Sequence, residues 1–337
     1  MRKAIFLGAL VFVTATLYAQ KFTLLKVPNG TSIIPVAISP LGEIVGRYQD
    51  NRTYESRAFI RVLDGAITTF DDPNALFPVP TVVNSFGVIA GNEDLNSPGL
   101  PQQGFVRSRK GTMTAFDPSP LLAPDDPDVN ITGINDRGVT VGFYAVTLLF
   151  DESFLRAPDG TITVVDLVGQ GAYPGTFITA INDEGVCTGA YTPDRSFNST
   201  GFVRRPDGSI KPFTVLNATS TYPTAINARG EIAGYWSDST SIHGFVRHPD
   251  GYITTIDVPS ARSTSIVGID LRGRVAGSFS DIDGHSHGFV REVDGAFRTI
   301  DVPGAEDTFV TAMNPIGEII GYSADSTGVP GGFLWFR

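Results

Sequence analysis

The chain has a single cysteine, Cys187, among 337 residues, so no internal disulfide can form and packing alone must hold the fold. It has no cluster of lysine and arginine. Acidic residues outnumber basic ones 35 to 25, for a formal net charge of −10. That balance argues against nucleic acid and anionic membranes as partners, because phosphate binding needs clustered positive charge. Beyond the first twenty residues there is no helical periodicity and no apolar run near the twenty or so residues that span a bilayer. Familiar catalytic signatures are missing too. There is no G-x-S-x-G elbow and no H-E-x-x-H zinc helix. The tryptophan–aspartate ending of WD40 blades and the Ser-x-Asp-x-Gly-x-x-Trp box of sialidases are also absent.

What is there begins with a leader. Met1-Arg2-Lys3 is basic, and Ala4 to Leu17 is an uncharged apolar run of 14 residues. Ala19 then offers a small residue before a cut at Gln20. This pattern predicts a signal peptide over 1–19, with the mature chain from 20 to 337 secreted to the periplasm or beyond and no membrane insertion. Loss of Arg2 and Lys3 takes the charge from −10 to −12. Cys187 lies far from that cut, which excludes a lipid-modified N-terminus.

The rest is one unit written seven times. A phenylalanine recurs as Phe59, Phe105, Phe154, Phe202, Phe245, Phe289 and Phe333. Arginine follows two residues later in six copies (Arg61, Arg107, Arg156, Arg204, Arg247, Arg291), and Trp335 takes its place in the seventh. Upstream lies a second signature, as in INDRGVTVG and INARGEIAG. It ends at Gly46, Gly91, Gly142, Gly189, Gly234, Gly277 and Gly321, 43 to 51 residues apart. Each period reads as four short strands. In the fifth copy these are 224–226, 231–236, 244–248 and 252–258, joined by an Asn227–Gly230 turn, a variable loop and an Asp250-Gly251 hairpin.

Four antiparallel strands per period of this length predict an all-β chain: a seven-bladed β-propeller in a single domain. The seventh copy stops after its third strand. Residues 22–28 (FTLLKVP) align with 253–259 (ITTIDVP), so the N-terminal strand is expected to complete the last blade and close the ring.

With His-Gly-Phe at 243–245 and 287–289 and Gly-Phe-Leu-Trp at 332–335, the repeat resembles that of the bacterial extracellular HAF-repeat proteins. Here Gly stands where that family's name has Ala. The resemblance covers essentially the whole mature chain. It implies an exported repeat protein and assigns no reaction.

Residues shared by every copy read as structural. The seven Phe should fill the gaps between sheets. The six Arg could form a ring of anion-binding groups, but are expected instead to pair with acidic or amide positions such as Asp71, Asp117, Asp166, Asp257 and Asp301. The small column Ala37, Gly133, Ala180, Ala225, Gly268 and Ala312 fits strands crowded at an axis. Cys187 reads as a small buried residue. The aromatics two past the repeat glycine (Tyr48, Tyr144, Tyr191, Trp236, Phe279) read as outer core, or, if exposed, as a stacking platform for sugars.

Sites on such a ring come from departures from the repeat. The first and third turns of each copy are uniform and share one face, whereas the second and fourth connections vary and share the other, where function is expected. Long connections in copies two to four gather Glu93, Asp94, Asp125, Asp126 and Asp128 with Tyr173. These carboxylates are candidates for Ca²⁺ or ligand binding, or are simply solvated loops. Trp236 joins them as a candidate platform. Asp283 and His285 are metal-capable residues in the DIDGHSH segment. The leading expectation is therefore a monomeric, secreted binding or scaffold module for an extracellular polysaccharide or protein. The alternative is an exported carbohydrate-active hydrolase or lyase using loop carboxylates of blades two to four, whose spacing no sequence motif would reveal.

Overall fold

The computed structural model describes residues 21–72, 75–95, 102–118, 129–147, 150–167, 175–193 and 198–336. The leader lies outside them. The described residues form twenty-eight strands in seven four-stranded antiparallel sheets. Strands a to d are lettered from the axis outward. In blade five they are Ser220–Ile226, Ile232–Ser237, Ile242–Arg247 and Ile253–Ile256. The a strand thus starts four residues earlier than its sequence pattern suggests. Each a strand touches the a strands on either side, closing a circle around the axis. This is the expected seven-bladed propeller.

Closure follows the expected route. Lys21–Leu24 pairs with Pro330–Phe336 as the outer strand of blade seven, with Phe22 opposite Trp335 and Leu24 opposite Phe333. All seven repeat phenylalanines are buried, none more than 1% exposed. Three meet an aromatic ring from the d strand of the preceding blade edge to face: Phe70 on Phe105, Phe116 on Phe154 and Phe213 on Phe245. Each buried phenylalanine contributes about 2 kcal/mol.

The repeat arginines correct one expectation. Three of them take an aromatic ring across the seam. Arg107, Arg156 and Arg247 lie over Phe70, Phe116 and Phe213 of the preceding blade, 4.7–5.0 Å from the ring centroids. Blade five offers only Ile256 at that place, and Arg291 turns to Phe297 of its own blade instead. Arg107, Arg156, Arg204 and Arg247 also donate from Nη1 to the next residue's carbonyl.

Near the axis every a strand carries a β-bulge at one column: Val36, Thr81, Thr132, Thr179, Thr224, Val267 and Thr311. The bulge pushes a carbonyl toward the b strand, which explains the repeat glycine. A Cβ on Gly189 would lie 2.0 Å from the Phe177 carbonyl oxygen. The bulged threonines reach outward. Thr132, Thr179, Thr224 and Thr311 donate to carbonyls of the next blade at 2.7–2.9 Å.

One turn lower, the asparagine that opens each N-x-x-G turn does more than shape it. Its Oδ1 accepts backbone N–H groups of its own turn, as Asn135 does from Arg137 and Val139. Its Nδ2 donates to the carbonyl of the equivalent residue one blade on. Asn84, Asn135, Asn182 and Asn227 pass this bond along blades two to six, and Asn314 passes it from blade seven to Ser39 of blade one. Two seams lack this donor, and an arginine bridges each in another way. At Asp270, Arg274 bonds the carboxylate through Nε at 2.6 Å and reaches the Ile316 carbonyl of blade seven. At Ser39, Arg109 of blade two pairs with the buried Glu43 of blade one at 3.0 Å.

Replacing Asn182 by alanine leaves the Val186 N–H without its partner, and the Asn227 carbonyl keeps only the Gly230 N–H of its own turn. The N182A protein is expected to lose about 1–3 kcal/mol, read as a lower urea midpoint with an unchanged slope.

Candidate functional site

The a–b and c–d turns emerge on one face of the ring and the b–c and d–a connections on the other. At the edge nearest the variable connections, the b, c and d strands set three side chains in a row. In blade five Trp236 lies opposite His243, rings stacked at 4.4 Å, and His243 Nδ1 meets Asp257 Oδ1 at 2.9 Å. In blade six Phe279 stacks on His287 at 5.0 Å, and the imidazole sits between Asp301 at 3.0 Å and Asp281 at 3.3 Å. Blade one places Arg57 in that column, opposite Tyr48 and between Asp71 at 3.1 Å and Asp50 at 3.7 Å. The expected acidic partners Asp71, Asp257 and Asp301 therefore serve the His/Arg column, four residues upstream of the repeat arginine.

These stacks settle two candidates. Trp236 is only 9% exposed, covered by its neighbours and by His243, and offers no open face to a sugar. Tyr48 and Tyr144 are buried too, while Tyr191 and Phe279 are half-buried against the core. His243 and His287 are structural members of a repeat column, as their alignment implies.

Burial opposes charge on His287, but hydrogen bonds and charge from Asp301 and Asp281 outweigh it and raise its pKa above 6.5. A raised value means stability present in full below the unfolded pKa and lost as pH climbs through the folded one. The H287R variant copies blade one. The unfolding midpoint of the natural chain is expected to fall relative to H287R between pH 6 and 8, with the gap closing in acid.

Of the expected carboxylate cluster, Asp125, Asp126, Asp128 and Tyr173 lie outside the described residues. Asp94 sits in the strand Ile89–Leu95. Glu93, in the column where other blades have aromatics, is 1% exposed. Its Oε1 accepts from Gln103 Nε2 at 2.9 Å, and its Oε2 meets no described partner. A carboxylate closed off in this way does not present itself to Ca²⁺ in solution. Asp283 and His285 also fail to meet. Asp281 Oδ1 gathers the backbone N–H groups of Asp283, Gly284 and His285 into a tight turn, and His285 Nδ1 lies 3.9 Å from Asp307. Among the described residues no three metal-ligating side chains converge.

Burial raises the Glu93 pKa, partly offset by the Gln103 hydrogen bond and helped by the charge of Asp72. The natural chain is thus best off with Glu93 protonated and loses stability as pH rises through its folded value. E93Q is expected to unfold at a higher temperature than the natural chain at pH 7 and at the same temperature below pH 4. Cys187, fully buried, has its thiol pushed up to about 12 by desolvation, which fits a packing role.

The other face holds what the turn pattern conceals. A cavity of about 450 Å³ opens on the axis between the a–b turns. The second residue of each turn lines it: Pro40, Ser85, Asp136, Asp183, Ala228, Leu271 and Pro315. Below them lie Val83, Ile134, Ile181, Ile226, Ile269 and Met313. Outside the mouth, Leu41, Phe86 and Ile316 stand 56–62% exposed at the third turn positions of blades one, two and seven. Leu271 of blade six is 44% exposed and continues the arc. Sequence reasoning treated this face as uniform because its backbone is; the signal was in the two variable letters of N-x-x-G.

No protein-family model and no curated protein matches the chain. Solved structures do, at low identity. Virginiamycin B lyase from Staphylococcus aureus, as a catalytically inactive form with quinupristin, superposes with a TM-score of 0.56 at 16% identity, over 93% of this chain and 99% of that one. The β-propeller domain of the Trilobed protease from Pyrococcus furiosus gives 0.61 at 11%, over 92% and 94%. Oligogalacturonate lyase from Vibrio parahaemolyticus gives 0.58 at 10%, over 94% and 96%. At these identities the likeness is one of fold. The class defined here is the β-propeller, and among the described residues no helix is long and apolar enough to cross a membrane.

Proposed function

We propose that this chain is a secreted binding module of the HAF-repeat kind, released from its leader and engaging an extracellular protein. The observation that carries the reading is the arc of exposed apolar side chains Leu271, Ile316, Leu41 and Phe86 on four successive blades. Apolar side chains clustered at turn tips, around a mouth, mark an interaction surface more often than chance exposure does. Burial of Tyr48, Tyr144 and Trp236 favours a protein over a glycan, since it removes three of the five aromatics that would have stacked on sugar rings. The two lyases share the fold alone, and the raised carboxyl of Glu93 lies buried within blade two rather than in an open cleft.

Selection of residues 20–337 against a random-peptide display library tests this. Enriched peptides are expected to bind at least tenfold more weakly to the L41S/F86S/I316S variant. A bound partner at a hundred times its dissociation constant adds about 2.7 kcal/mol, enough to raise the unfolding midpoint visibly. If a soluble polysaccharide raises that midpoint and no peptide does, the glycan reading replaces this one; cleavage of that sugar would make the chain an enzyme.

A further inference from the structure

The seven residues that line the axial mouth differ from blade to blade in an ordered way. Asp136 and Asp183 stand on the adjacent blades three and four. In a seven-fold ring the point facing the seam between them is blade seven, which presents Pro315, flanked by Leu271 of blade six and Pro40 of blade one. One wall of the mouth is therefore anionic and the opposite wall apolar, above a ring of aliphatic side chains with Thr132, Thr179 and Thr224 deeper still.

Both carboxylates are held in place. Asp136 Oδ1 accepts the Ser85 N–H, and Asp183 Oδ1 accepts the Asp136 N–H, each at 2.8 Å. Neither pairs with a described cation, and no hydrogen bond from a described residue reaches either Oδ2. The arginines of these turns do not fill the gap. Arg137, Arg229 and Arg272 occupy third positions, which do not line the cavity, and Arg229 is taken by Glu231 at 2.6 Å. Two fixed negative charges, uncompensated, face an apolar wall across a space of the size that small ligands fill, roughly 300–1,000 Å³. The net negative charge of the chain adds to the same field.

We propose that the axial mouth on the N-x-x-G face is a binding site for an organic cation carried on an apolar body, the chemistry of a lysine or arginine side chain, or an N-terminal ammonium, beside a hydrophobic residue. The ammonium or guanidinium lies against Asp136 and Asp183, and the apolar body lies against Leu271, Pro315 and Pro40. This rests on the binding-module reading and names what that module recognises at its centre. It also accounts for the apolar arc just outside, on which the rest of a peptide would lie once its cationic group has entered the mouth.

The test is calorimetric titration of residues 20–337 with 4-phenylbutylammonium and, as controls, 4-phenylbutanol and 4-phenylbutyrate. The ammonium is expected to bind at least tenfold more tightly than the alcohol, with affinity falling as salt rises. D136N/D183N keeps the Oδ1 acceptors that tie each turn to the preceding blade and is expected to lose that tenfold preference. A228W, on an exposed turn residue beside the mouth, is expected to block binding while leaving the unfolding midpoint in place. Two peptides separate the sources: acetyl-Leu-Lys-Leu-amide carries only a side-chain cation, and Leu-Leu-Leu-amide only a terminal one. Binding of either and its loss in D136N/D183N supports the site. Equal binding of amine and alcohol, or unchanged affinity in D136N/D183N, overturns it. If display peptides still bind through Leu41, Phe86 and Ile316 in D136N/D183N, the mouth proposal falls and the module reading stands. If neither peptides nor amine bind, both fall.

Discussion

The ring depends on a hydrogen bond that points both ways. An asparagine carboxamide carries an acceptor and a donor within one short side chain. Here the acceptor folds its own turn and the donor crosses to the next blade. Repeated head to tail, the bond makes local turn geometry and global ring closure the same event. Aspartate would keep the turn and lose the crossing, and serine is too short to cross. Where the chain has those two residues, an arginine bridges the seam in another way, Arg274 from the turn itself and Arg109 from the neighbouring blade. Any one such bond is worth about 1 kcal/mol net, but an orphaned buried group costs more, which is why no seam among these is left open.

The blade count, the strand order and the closing strand were legible in the sequence, because they are properties of one repeat and of how many copies there are. The glycine column was legible as a mark of the period; its cause, a bulge that drives a carbonyl against the next strand, was not. The arginine column misled for a related reason. Opposite charges in aligned columns suggest pairing, yet the aromatic ring under Arg107 belongs to the blade before it, and a single repeat does not reveal what stands across the seam. Trp236 was a candidate platform by chemistry and turned out to be core by burial. Glu93 is a buried residue of blade two, and the cluster expected around it includes Asp125, Asp126 and Asp128, outside the described residues.

The two faces divide labour differently from what connection lengths suggest. The variable connections carry insertions, and beside them the stacks of Trp236–His243–Asp257, Phe279–His287–Asp301 and Tyr48–Arg57–Asp71 brace the outer strands. The uniform turns carry a fixed backbone on which two side chains per blade are free to vary. A rigid frame with fourteen interchangeable positions around an axis is suited to displaying chemistry in a chosen order, and acid opposite apolar is one such order.

The strand that closes the ring has a history that the finished fold conceals. Lys21–Leu24 is among the first parts of the propeller to be synthesised, yet its partner, Pro330–Phe336, is the last. Until then one strand lacks its ladder and blade seven lacks its outer edge, while blades one to six can already stack in sequence order. Growth of the chain is thus the assembly of an open crescent with two unsatisfied edges, sealed in a single late step. The two edges that could pair with another molecule are therefore lost together, when the first and last strands of the ring meet.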